Sequence, residues 1–383
     1  VLKHYITYEA YFRLVQVGDD DPHVERKKAA RALARTLTFH EVNLRSKTEV
    51  MVEHFRTHVR HKIGGRAKAM VVTDGRLHAV RYKQTFDAYI AEKGYTDVKT
   101  LVAFSGTVED PRFPGKSLTE VMNEYGPELV GKKVFEKTGT EFPLLIKFID
   151  AKLDLSIQVH PGDELAKKRH NSFGKNEMWY VIAADKGAKL ISGFAEEITP
   201  KEYKDRVHNG TFAEVLQTCA IEPGDVFYVP AGRVHGIGAG AFVAEIQQTS
   251  DITYRIFDYN RKDKDGKSRE LHTSQAMDAI NFSDVQDDFR TEYERVQNEP
   301  VEMVASPYFT TSVYDMTEEI TCDYSELDSF VIFICVEGSC RLTDDNQNEI
   351  TLRAGETVLL PAAVQEVTIV PEGQRVKLLE TYV

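Results

Sequence analysis

A row of alternating polar and apolar residues, Asp-Leu-Ser-Ile-Gln-Val-His, occupies positions 154–160 of the chain. Because successive side chains of a β-strand point to opposite faces of its sheet, the row predicts a strand with Ser156, Gln158 and His160 on one face and three aliphatic residues on the other. A hydroxyl, an amide and an imidazole side by side are poor material for an apolar core. They indicate a metal site with a polar substrate beside it.

The sequence after residue 145 has the pattern of a β-protein. Short predicted strands follow one another at close spacing, which is typical of a sandwich or a barrel. Two predicted helical insertions, near residues 199–218 and 269–296, interrupt the strands, and residues 328–383 are again rich in predicted strands.

An internal repeat divides this β-region. Residues 223–231 (Pro-Gly-Asp-Val-Phe-Tyr-Val-Pro-Ala) match residues 354–362 (Ala-Gly-Glu-Thr-Val-Leu-Leu-Pro-Ala). Each copy is a glycine turn, an acidic residue, a strand and a Pro-Ala exit. The first copy leads on to His235, whereas the second has Glu366 at the equivalent position. We therefore expect two related β-barrels, of which only the first binds a metal.

Residues 1–112 differ from the rest of the chain in charge. They hold 20 Lys and Arg against 14 Asp and Glu, a net +6, while the remainder holds 28 against 46, a net −18. Since 383 residues also exceed one ordinary core, the sequence predicts two or three domains, and only the first segment could attract nucleic acid. No apolar run approaches the roughly 18 residues of a membrane helix. The first residues lack a signal-peptide pattern and the four cysteines are scattered, so we expect a cytoplasmic protein with reduced thiols.

The N-terminal segment has the pattern of an incomplete α/β domain. A helix is predicted for residues 24–62, followed by a strand at 69–72, an amphipathic helix at 76–93 and a strand at 100–104. The last three elements form a βαβ unit, which normally makes a right-handed crossover in a parallel sheet. One such unit cannot cover both faces of a sheet, so this segment is predicted to be part of a domain.

Three separated segments supply residues that could meet at one metal ion. Gln158 and His160 come from the first, Glu177 from the second and His235 from the third. Two imidazoles, a carboxylate and an amide oxygen suit Zn²⁺ with room for water or substrate, and the ion would polarise hydroxyl and carbonyl oxygens.

Lys147 and Arg255 could bind an anionic group of that substrate, and the planar fork of arginine suits phosphate. Each residue taken alone has a simpler explanation. An isolated histidine is more often a surface or core residue than a ligand, and a lysine can extend from a strand edge to solvent. Ligands on separate strands have no fixed spacing, so spacing does not decide between these interpretations.

Two other motifs resemble functional sites, but a structural interpretation is favoured for each. Gly-Lys-Ser at 115–117 resembles a phosphate-binding loop, but the preceding glycine, Gly106, is too far away, and a helix start is the better prediction. His54 and His58 share one helical face without the glutamate of a zinc-protease motif, so a solvated face is expected there.

Residues 114–383 resemble the bacterial type I mannose-6-phosphate isomerases, zinc enzymes of the cupin fold. The resemblance rests on these motifs: Gly-Lys-Ser-Leu-Thr-Glu at 115–120, Pro-Leu-Leu-Ile-Lys-Phe-Ile-Asp-Ala at 143–151, Leu-Ser-Ile-Gln-Val-His-Pro at 155–161, Glu-Met-Trp-Tyr at 177–180, the 230–238 segment, and Ser-Asp-Ile-Thr-Tyr-Arg at 250–255. It implies a mainly β fold of two cupin-like β-barrels, or jelly rolls, with helical insertions.

The resemblance also implies a role for each site residue. His160, Glu177 and His235 would hold zinc, with Gln158 as fourth ligand. The other expected roles are a catalytic arginine at Arg255, a substrate-side catalytic lysine at Lys175, and substrate contacts at Lys147, Ser156 and Glu245. The implied reaction converts mannose 6-phosphate to fructose 6-phosphate through a cis-enediol, with a base that the sequence does not identify.

Residues 1–112 instead resemble part of the second helicase lobe in the motor subunit of type I restriction enzymes. The motifs that carry this resemblance lie at 47–55, 68–73, 76–82 and 100–106. The β-rich, tryptophan-containing start of the isomerase family is missing, since Trp179 is the single tryptophan. We therefore expect a chimeric chain joined within residues 110–115. The predicted domains are a partial α/β segment (1–112), a metal-bearing barrel (113–265), a helical insertion (266–300) and a barrel without metal ligands (301–383).

Three functions follow from these expectations. The leading one is a zinc-dependent isomerase of a phosphorylated hexose, with no membrane partner and no predicted oligomeric state. The alternatives are a non-catalytic cupin that binds metal and sugar, and a nucleic-acid motor fragment fused to a cupin. Nucleic acid is not the expected partner, and the absence of an ATP-binding loop argues against ATPase activity.

Overall fold

The computed structural model describes residues 41–61, 69–71, 73, 76–98, 100, 116–262 and 265–383. The chain divides into two compact units, Val1–Gly115 and Lys116–Val383. This division falls at the end of the segment predicted as a junction, and the finer domain boundaries stay predictions. No helix in the described ranges is long and apolar enough to cross a membrane.

The described part of the first unit is helical. Its elements are α1 (Glu41–His54), a π-helical turn that continues it (Phe55–Val59), and α2 (Arg76–Glu92). Val52 of α1 packs against Tyr89 and Ile90 of α2 in a small apolar core. α1 lies inside the helix predicted for residues 24–62, and α2 matches the helix predicted for 76–93.

The two strands predicted for the first unit, at residues 69–72 and 100–104, are not found in its described residues. Residues 69–71 form no strand, and Met70 is 86% exposed, so that prediction is wrong for these residues. Of the second predicted strand only Thr100 is described, and the remainder lies outside the described residues. A parallel βαβ unit is therefore not present in the part of this segment that the structure describes.

The second unit begins with two helices and continues as two β-sandwiches. Its helices are α3 (Leu118–Val130), α4 (Lys132–Thr138), α5 (Asp163–His170), α6 (Pro200–Asn209) and α7 (Thr273–Ala279), with a 3₁₀ turn at Phe212–Val215. The strands of the first sandwich are β1 (Leu144–Asp150), β2 (Ile157–Val159), β3 (Glu177–Ala184), β4 (Lys189–Phe194), β5 (Leu216–Ala220), β6 (Val226–Val229), β7 (His235–Ile237), β8 (Ala241–Gln248) and β9 (Tyr254–Phe257). The strands of the second are β10 (Pro300–Ala305), β11 (Thr310–Met316), β12 (Ile320–Asp323), β13 (Val331–Glu337), β14 (Ser339–Asp344), β15 (Glu349–Arg353), β16 (Thr357–Leu360), β17 (Glu366–Pro371) and β18 (Val376–Tyr382).

Two antiparallel sheets form the first sandwich, in the strand orders β1-β8-β3-β6 and β5-β4-β7-β2-β9. The apolar residues of β2, Ile157 and Val159, pack outward with Tyr203 of α6 and Ala276 of α7. Gln158 lies between them and therefore points into the sandwich, toward the sheet that carries Glu177. The alternation in the sequence is confirmed, although β2 is shorter than predicted, and its polar face is the inner one.

Eight strands of the second sandwich, β11 to β18, repeat the order of β1 to β8 in the first. The order β11-β18-β13-β16 reproduces β1-β8-β3-β6, and β15-β14-β17-β12 reproduces β5-β4-β7-β2. The predicted pair of related barrels is therefore present. Glu366 begins β17 as His235 begins β7, but Glu366 is exposed.

The predicted helical insertions are shorter than expected. The first ends at α6 and the 3₁₀ turn, because residues 216–218 already belong to β5. Within 269–296 only α7 is helical. Residues 280–296, which follow α7, form an irregular segment, here called the strap, that is hydrogen-bonded to the sandwich. The backbone N–H of Phe194 donates to the carbonyl of Asp284 at 3.0 Å, and that of Thr291 donates to the carbonyl of Val226 at 2.8 Å. These bonds satisfy backbone groups that a helix would have paired internally.

Candidate metal centre

Three strands bring His160, Glu177 and His235 together inside the first sandwich. His160 follows β2, Glu177 begins β3 and His235 begins β7. One ligand atom from each of the three lies within 4.8 Å of the others. Glu177 Oε2 is 3.4 Å from His160 Nε2, and Glu177 Oε1 is 3.4 Å from His235 Nε2. All three side chains are buried, so a ligand held between them would be shielded from bulk water.

Backbone carbonyls orient both imidazoles. His160 Nδ1 lies 2.9 Å from the carbonyl oxygen of Ile252, and His235 Nδ1 lies 2.9 Å from that of Arg233. A carbonyl only accepts hydrogen bonds, so each Nδ1 carries the ring proton. Each Nε2 therefore presents its lone pair to Glu177, which is the usual arrangement of histidine ligands with a fixed second partner.

Burial and neighbouring charge set the protonation states. Desolvation, reinforced by the charge of Lys175, lowers the pKa of His160 to about 4. Desolvation also lowers the pKa of His235. Burial alone would raise the pKa of Glu177, but Lys175 and the two histidines outweigh it and hold that pKa well below its usual range. At neutral pH the cluster therefore has the neutral imidazoles and ionised carboxylate that metal binding requires.

Three buried atoms of the cluster accept no well-aligned hydrogen bond: His160 Nε2 and both carboxylate oxygens of Glu177, of which Oε2 has an ion pair with the Lys175 amine. A buried acceptor without a partner costs about 1–3 kcal/mol. Three such acceptors close to one another indicate a cation between them, and the two-nitrogen, one-carboxylate donor set fits a divalent metal. Among the described residues, no other group of His, Cys, Asp and Glu side chains is arranged to hold a metal. His54 and His58 are exposed, as predicted.

Gln158 lies beside the cluster on β2, between β7 and β9. It is paired directly with His235 of β7 on one side and with Arg255 of β9 on the other. Directly opposed residues of antiparallel strands share a face, so the three side chains form one row. Gln158 Nε2 is 3.3 Å from His235 Nε2, and the amide oxygen becomes the metal-facing atom if the amide is turned over. The hydroxyl of Ser156 is 3.5 Å from Gln158 Oε1, at the end of the same row.

The two predicted lysines approach the cluster from the sheet that contains Glu177. Lys175 lies two residues before β3, and Lys147 lies on β1. Lys175 is buried, with its amine 3.0 Å from Glu177 Oε2. Lys147 on β1 is opposite Glu245 on β8, and its amine is 2.8 Å from Glu245 Oε1. The indole N–H of Trp179 donates to the other oxygen of Glu245 at 3.2 Å, and the Trp179 ring packs edge-on against the ring of His235. Glu245 is thereby connected to the metal-ligand cluster through a single aromatic residue.

Arg255 lies in the same row as Gln158, but its guanidinium makes no hydrogen bond to His160, Glu177 or His235. Its Nη1 donates to the carbonyl of Glu270 at 2.9 Å, and its buried Nε has no partner. Burial lowers the pKa of Arg255, with the nearby charge of Arg269 adding to the effect. The structure therefore brings Gln158, His160, Glu177, His235 and Lys175 into one cluster, with Ser156, Arg255 and the Lys147–Glu245 pair around it.

A polar network that the sequence did not predict fixes the metal-ligand segments to one another. Asn176, between Lys175 and Glu177, accepts a hydrogen bond from the backbone N–H of Ala231 at 2.9 Å and donates to Gln248 Oε1 at 2.7 Å. Gln248 in turn donates to Asp163 at 3.3 Å, and the N–H of Gly232 donates to the carbonyl of His160 at 2.9 Å. The three ligand-bearing segments are joined in this way. The sequence signal was slight: a short polar residue beside a predicted ligand.

Backbone packing at Gly174 adds to this network. A β-carbon there would lie 2.5 Å from the backbone nitrogen of Asp163. Only glycine allows the loop before Glu177 to approach the start of α5 so closely. The Gly174 N–H uses this approach to donate to Asp163 Oδ1 at 2.7 Å.

Comparison with known proteins identifies relatives for most of this unit. A model of the phosphomannose isomerase type I catalytic domain matches residues 103–220, and a model of the mannose-6-phosphate isomerase cupin domain matches residues 301–379. The first match begins inside the segment predicted to be foreign. None of these matches supports the predicted restriction-enzyme segment or a helicase lobe.

Individual relatives give the same result. The chain is 37% identical to the probable mannose-6-phosphate isomerase GmuF of Bacillus subtilis, over 69% of this chain and 82% of that protein. It is 33% identical to the mannose-6-phosphate isomerase ManA of the same organism, over 68% and 80%. The crystal structure of the mannose 6-phosphate isomerase from Bacillus subtilis superposes with a TM-score of 0.62 at 32% identity, covering 72% of this chain and 84% of that one.

Proposed function

This chain belongs to the type I mannose-6-phosphate isomerase family, and from that premise we propose that it interconverts mannose 6-phosphate and fructose 6-phosphate at a zinc ion held by His160, Glu177 and His235. The observation that carries the proposal is the set of three buried ligand atoms within 4.8 Å of one another. Gln158 is the proposed fourth ligand.

The spacing of the donors supports zinc. Ligand atoms about 2.1 Å from a tetrahedral centre lie roughly 3.4 Å from one another. Glu177 Oε2 lies 3.4 Å from His160 Nε2 and Glu177 Oε1 lies 3.4 Å from His235 Nε2, so each imidazole has one carboxylate oxygen at this spacing, while single ligand atoms of the three residues lie within 4.8 Å of one another. Two imidazoles and a carboxylate leave a fourth position for Gln158, water or a substrate oxygen. When bound, the ion would supply Lewis-acid polarisation of the sugar oxygens.

The side chains around the cluster supply the remaining parts of the reaction. The Lys175 amine is buried beside Glu177, where it would stabilise negative charge that develops on the sugar oxygens during enediol formation. Arg255 has a buried Nε without a partner and would bind the phosphate, so that the sugar is held in register. Ser156 and the Lys147–Glu245 pair would contact the sugar hydroxyls. The base that moves the C–H proton stays unassigned, and so does the predicted cytoplasmic location.

The test is metal analysis together with a coupled isomerase assay on mannose 6-phosphate. We expect one zinc per chain in the parent protein, loss of metal and turnover in His160→Ala, and retained metal with kcat/KM lowered by about 100-fold in Arg255→Ala. His208→Ala and Arg341→Ala are the matched controls, because both residues are exposed and lie away from the cluster.

Two results would contradict this proposal. Full metal content in His160→Ala would remove the zinc assignment. Zinc without turnover in the parent chain would favour the alternative, a non-catalytic cupin that binds metal and sugar.

A further inference from the structure

The second sandwich contains an open cavity of about 620 Å³. It lies at the mouth between its two sheets, bordered by β10, β11 and β18 on one side and by β12 and the following residues on the other. The residues that matter for its chemistry are Glu302, Tyr314, Asp323, Tyr324, Glu380 and Tyr382. This cavity is separate from the cluster of metal ligands, which belongs to the first sandwich.

Strand register places Glu380 at the position of Glu245. Trp179 pairs with Phe227 and with Glu245 in the first sandwich, while Phe333 pairs with Val358 and with Glu380 in the second. Phe227 and Val358 occupy the same position of the sequence repeat. The two buried glutamates are therefore equivalent.

The same register identifies two more equivalent positions. Lys147 pairs with Glu245, and Ser312 pairs with Glu380. Gln158 pairs with His235, and Asp323 pairs with Glu366 at the position that corresponds to His235. Ser312 and Asp323 both line the cavity, so the cavity occupies the place that the proposed substrate site occupies in the first sandwich.

The cavity of the second sandwich has the opposite charge to the proposed substrate site of the first. Ser312, with a hydroxyl, occupies the position equivalent to Lys147, which has an amine. Asp323, with a carboxylate, occupies the position equivalent to Gln158, which has a neutral amide. Four carboxylates line the cavity, from Glu302, Asp323, Glu326 and Glu380, and no described lysine, arginine or histidine lines it. A phosphorylated sugar would be repelled, whereas a cation would be attracted.

Glu380 gives the cavity a buried anionic group with unused acceptor capacity. It is only 4% exposed. Its Oε1 accepts hydrogen bonds from the hydroxyls of Tyr314, at 3.1 Å, and Tyr324. No described residue donates to its Oε2. Burial raises the pKa of this carboxyl, against the opposing effect of the hydrogen bonds from Tyr324 and Tyr314. Because no described lysine, arginine or histidine lines the cavity, its ionised form lacks a counter-charge there.

We propose that this cavity is a second ligand site, which binds a small organic cation such as a primary or quaternary amine. The ammonium group would pair with Glu380, and the rings of Tyr314, Tyr324 and Tyr382 would contact its alkyl groups and its charge. A buried carboxylate surrounded by aromatic rings, without a basic neighbour, is the chemistry that recognises such cations.

The experiment is isothermal titration calorimetry of the full chain with putrescine and with tetramethylammonium chloride, using glucose and glucose 6-phosphate as neutral and anionic comparisons. We expect saturable binding of at least one amine with a Kd of about 1 mM or tighter. Glu380→Gln keeps the shape and the acceptor for both tyrosines, and should weaken binding at least about tenfold. Tyr382→Leu, a second variant that leaves Glu380 in place, should weaken it about threefold.

Two controls separate this site from the rest of the molecule. Glu372→Gln changes an exposed glutamate that does not line the cavity, and should bind as the parent does. His160→Ala should also bind normally, because the metal centre is in the other sandwich, so this result does not depend on the proposed isomerase activity. The proposal is overturned by the absence of saturable amine binding, by equal binding in folded Glu380→Gln, or by glucose binding in preference to the amines.

Discussion

The carboxylate of Glu177 lies between the two histidine rings and contacts both of them. Its two oxygens face different imidazoles at the same distance, 3.4 Å, and its side chain is fully buried. Burying a carboxylate without compensation costs several kcal/mol. The nearby amine of Lys175 offsets part of that cost, and a bound cation would offset more.

Asn176 is the positioning residue that we expect to matter most for metal affinity. Asn176→Ala removes the side-chain bonds to Ala231 and Gln248 that connect the ligand-bearing segments, while the backbone N–H of residue 176 still donates to Gln248 Oε1. We predict that zinc affinity falls about 10- to 100-fold, as is usual when a residue that orients metal ligands is lost. Competition with a zinc-binding dye measures the affinity, and the visible spectrum of the cobalt-substituted protein reports ligand geometry.

Asn209→Ala is the matched control for this experiment, because Asn209 is an exposed asparagine at the end of α6. An Asn176→Ala protein with parent-like zinc affinity and cobalt spectrum would show that the network only stabilises the fold.

Donor chemistry narrowed the candidate metal ligands without selecting them. Imidazole and carboxylate are the usual zinc donors, but His160, Glu177 and His235 were singled out by the motifs that resemble a known family, and the structure brings all three into one cluster. Asn176 and Gln248 were not predictable, since 72 residues separate them and nothing in an amide side chain indicates its partner. Their role follows from proximity in the fold.

At the scale of single elements, the start of α3 tests a motif that resembles a phosphate loop. Ser117 is the N-cap of α3: its hydroxyl accepts from the N–H of Glu120 at 3.2 Å, and Glu120 accepts from the N–H of Ser117 at 2.6 Å. This is a capping box, so the helix-start prediction is confirmed.

We predict that Ser117→Ala lowers the free energy of unfolding by about 1 kcal/mol without changing metal content or turnover. Urea denaturation followed by circular dichroism measures the loss. Thr119→Ala, at an exposed position of the same helix, should cost less. A Ser117→Ala variant with parent stability but impaired phosphate binding would contradict the capping role.

The strap after α7 shows why one predicted helix did not form. Arg233 makes a two-pronged ion pair with Asp284, and its guanidinium lies 4.4 Å from the centre of the Phe289 ring. Phe289 in turn lies directly over Gly193, where a β-carbon would be only 2.2 Å from the ring. These tertiary contacts hold the strap extended over the sandwich, and they outweigh the local preference for helix.

At the scale of the whole molecule, duplication of the sandwich produced two buried glutamates in different surroundings. Glu245 has the amine of Lys147 beside it, whereas the neighbours of Glu380 are Tyr314, Tyr324 and Cys322. The same backbone position therefore holds a paired carboxylate in one sandwich and an uncompensated one in the other.

This difference predicts a pH dependence of stability. Burial raises the pKa of Glu380 in the folded chain above its ordinary value of 4.5, so the folded state binds more protons than the unfolded state between these two pKa values. The contribution of Glu380 to the free energy of unfolding is therefore largest below pH 4.5, and declines as pH rises through the folded pKa.

Urea denaturation at a series of pH values measures this effect. The parent chain should lose stability relative to Glu380→Gln as pH rises through that window, and the difference should then stay constant. Glu372→Gln should follow the parent at every pH. Parallel curves for the parent and Glu380→Gln would show that the carboxyl is not perturbed.

The sequence by itself predicted the β-architecture and the duplication, while the three candidate metal ligands were assigned through the resemblance of their motifs to a known family. Side-chain alternation and a repeated turn motif are local properties, and each is readable without knowing what lies nearby. Only the tertiary structure decided which way the polar face of β2 points, which amides join the ligand segments, and which carboxylate lacks a counter-charge. Those properties depend on contacts between strands that are distant in sequence, because burial and electrostatic interaction are set by the neighbours that folding brings together.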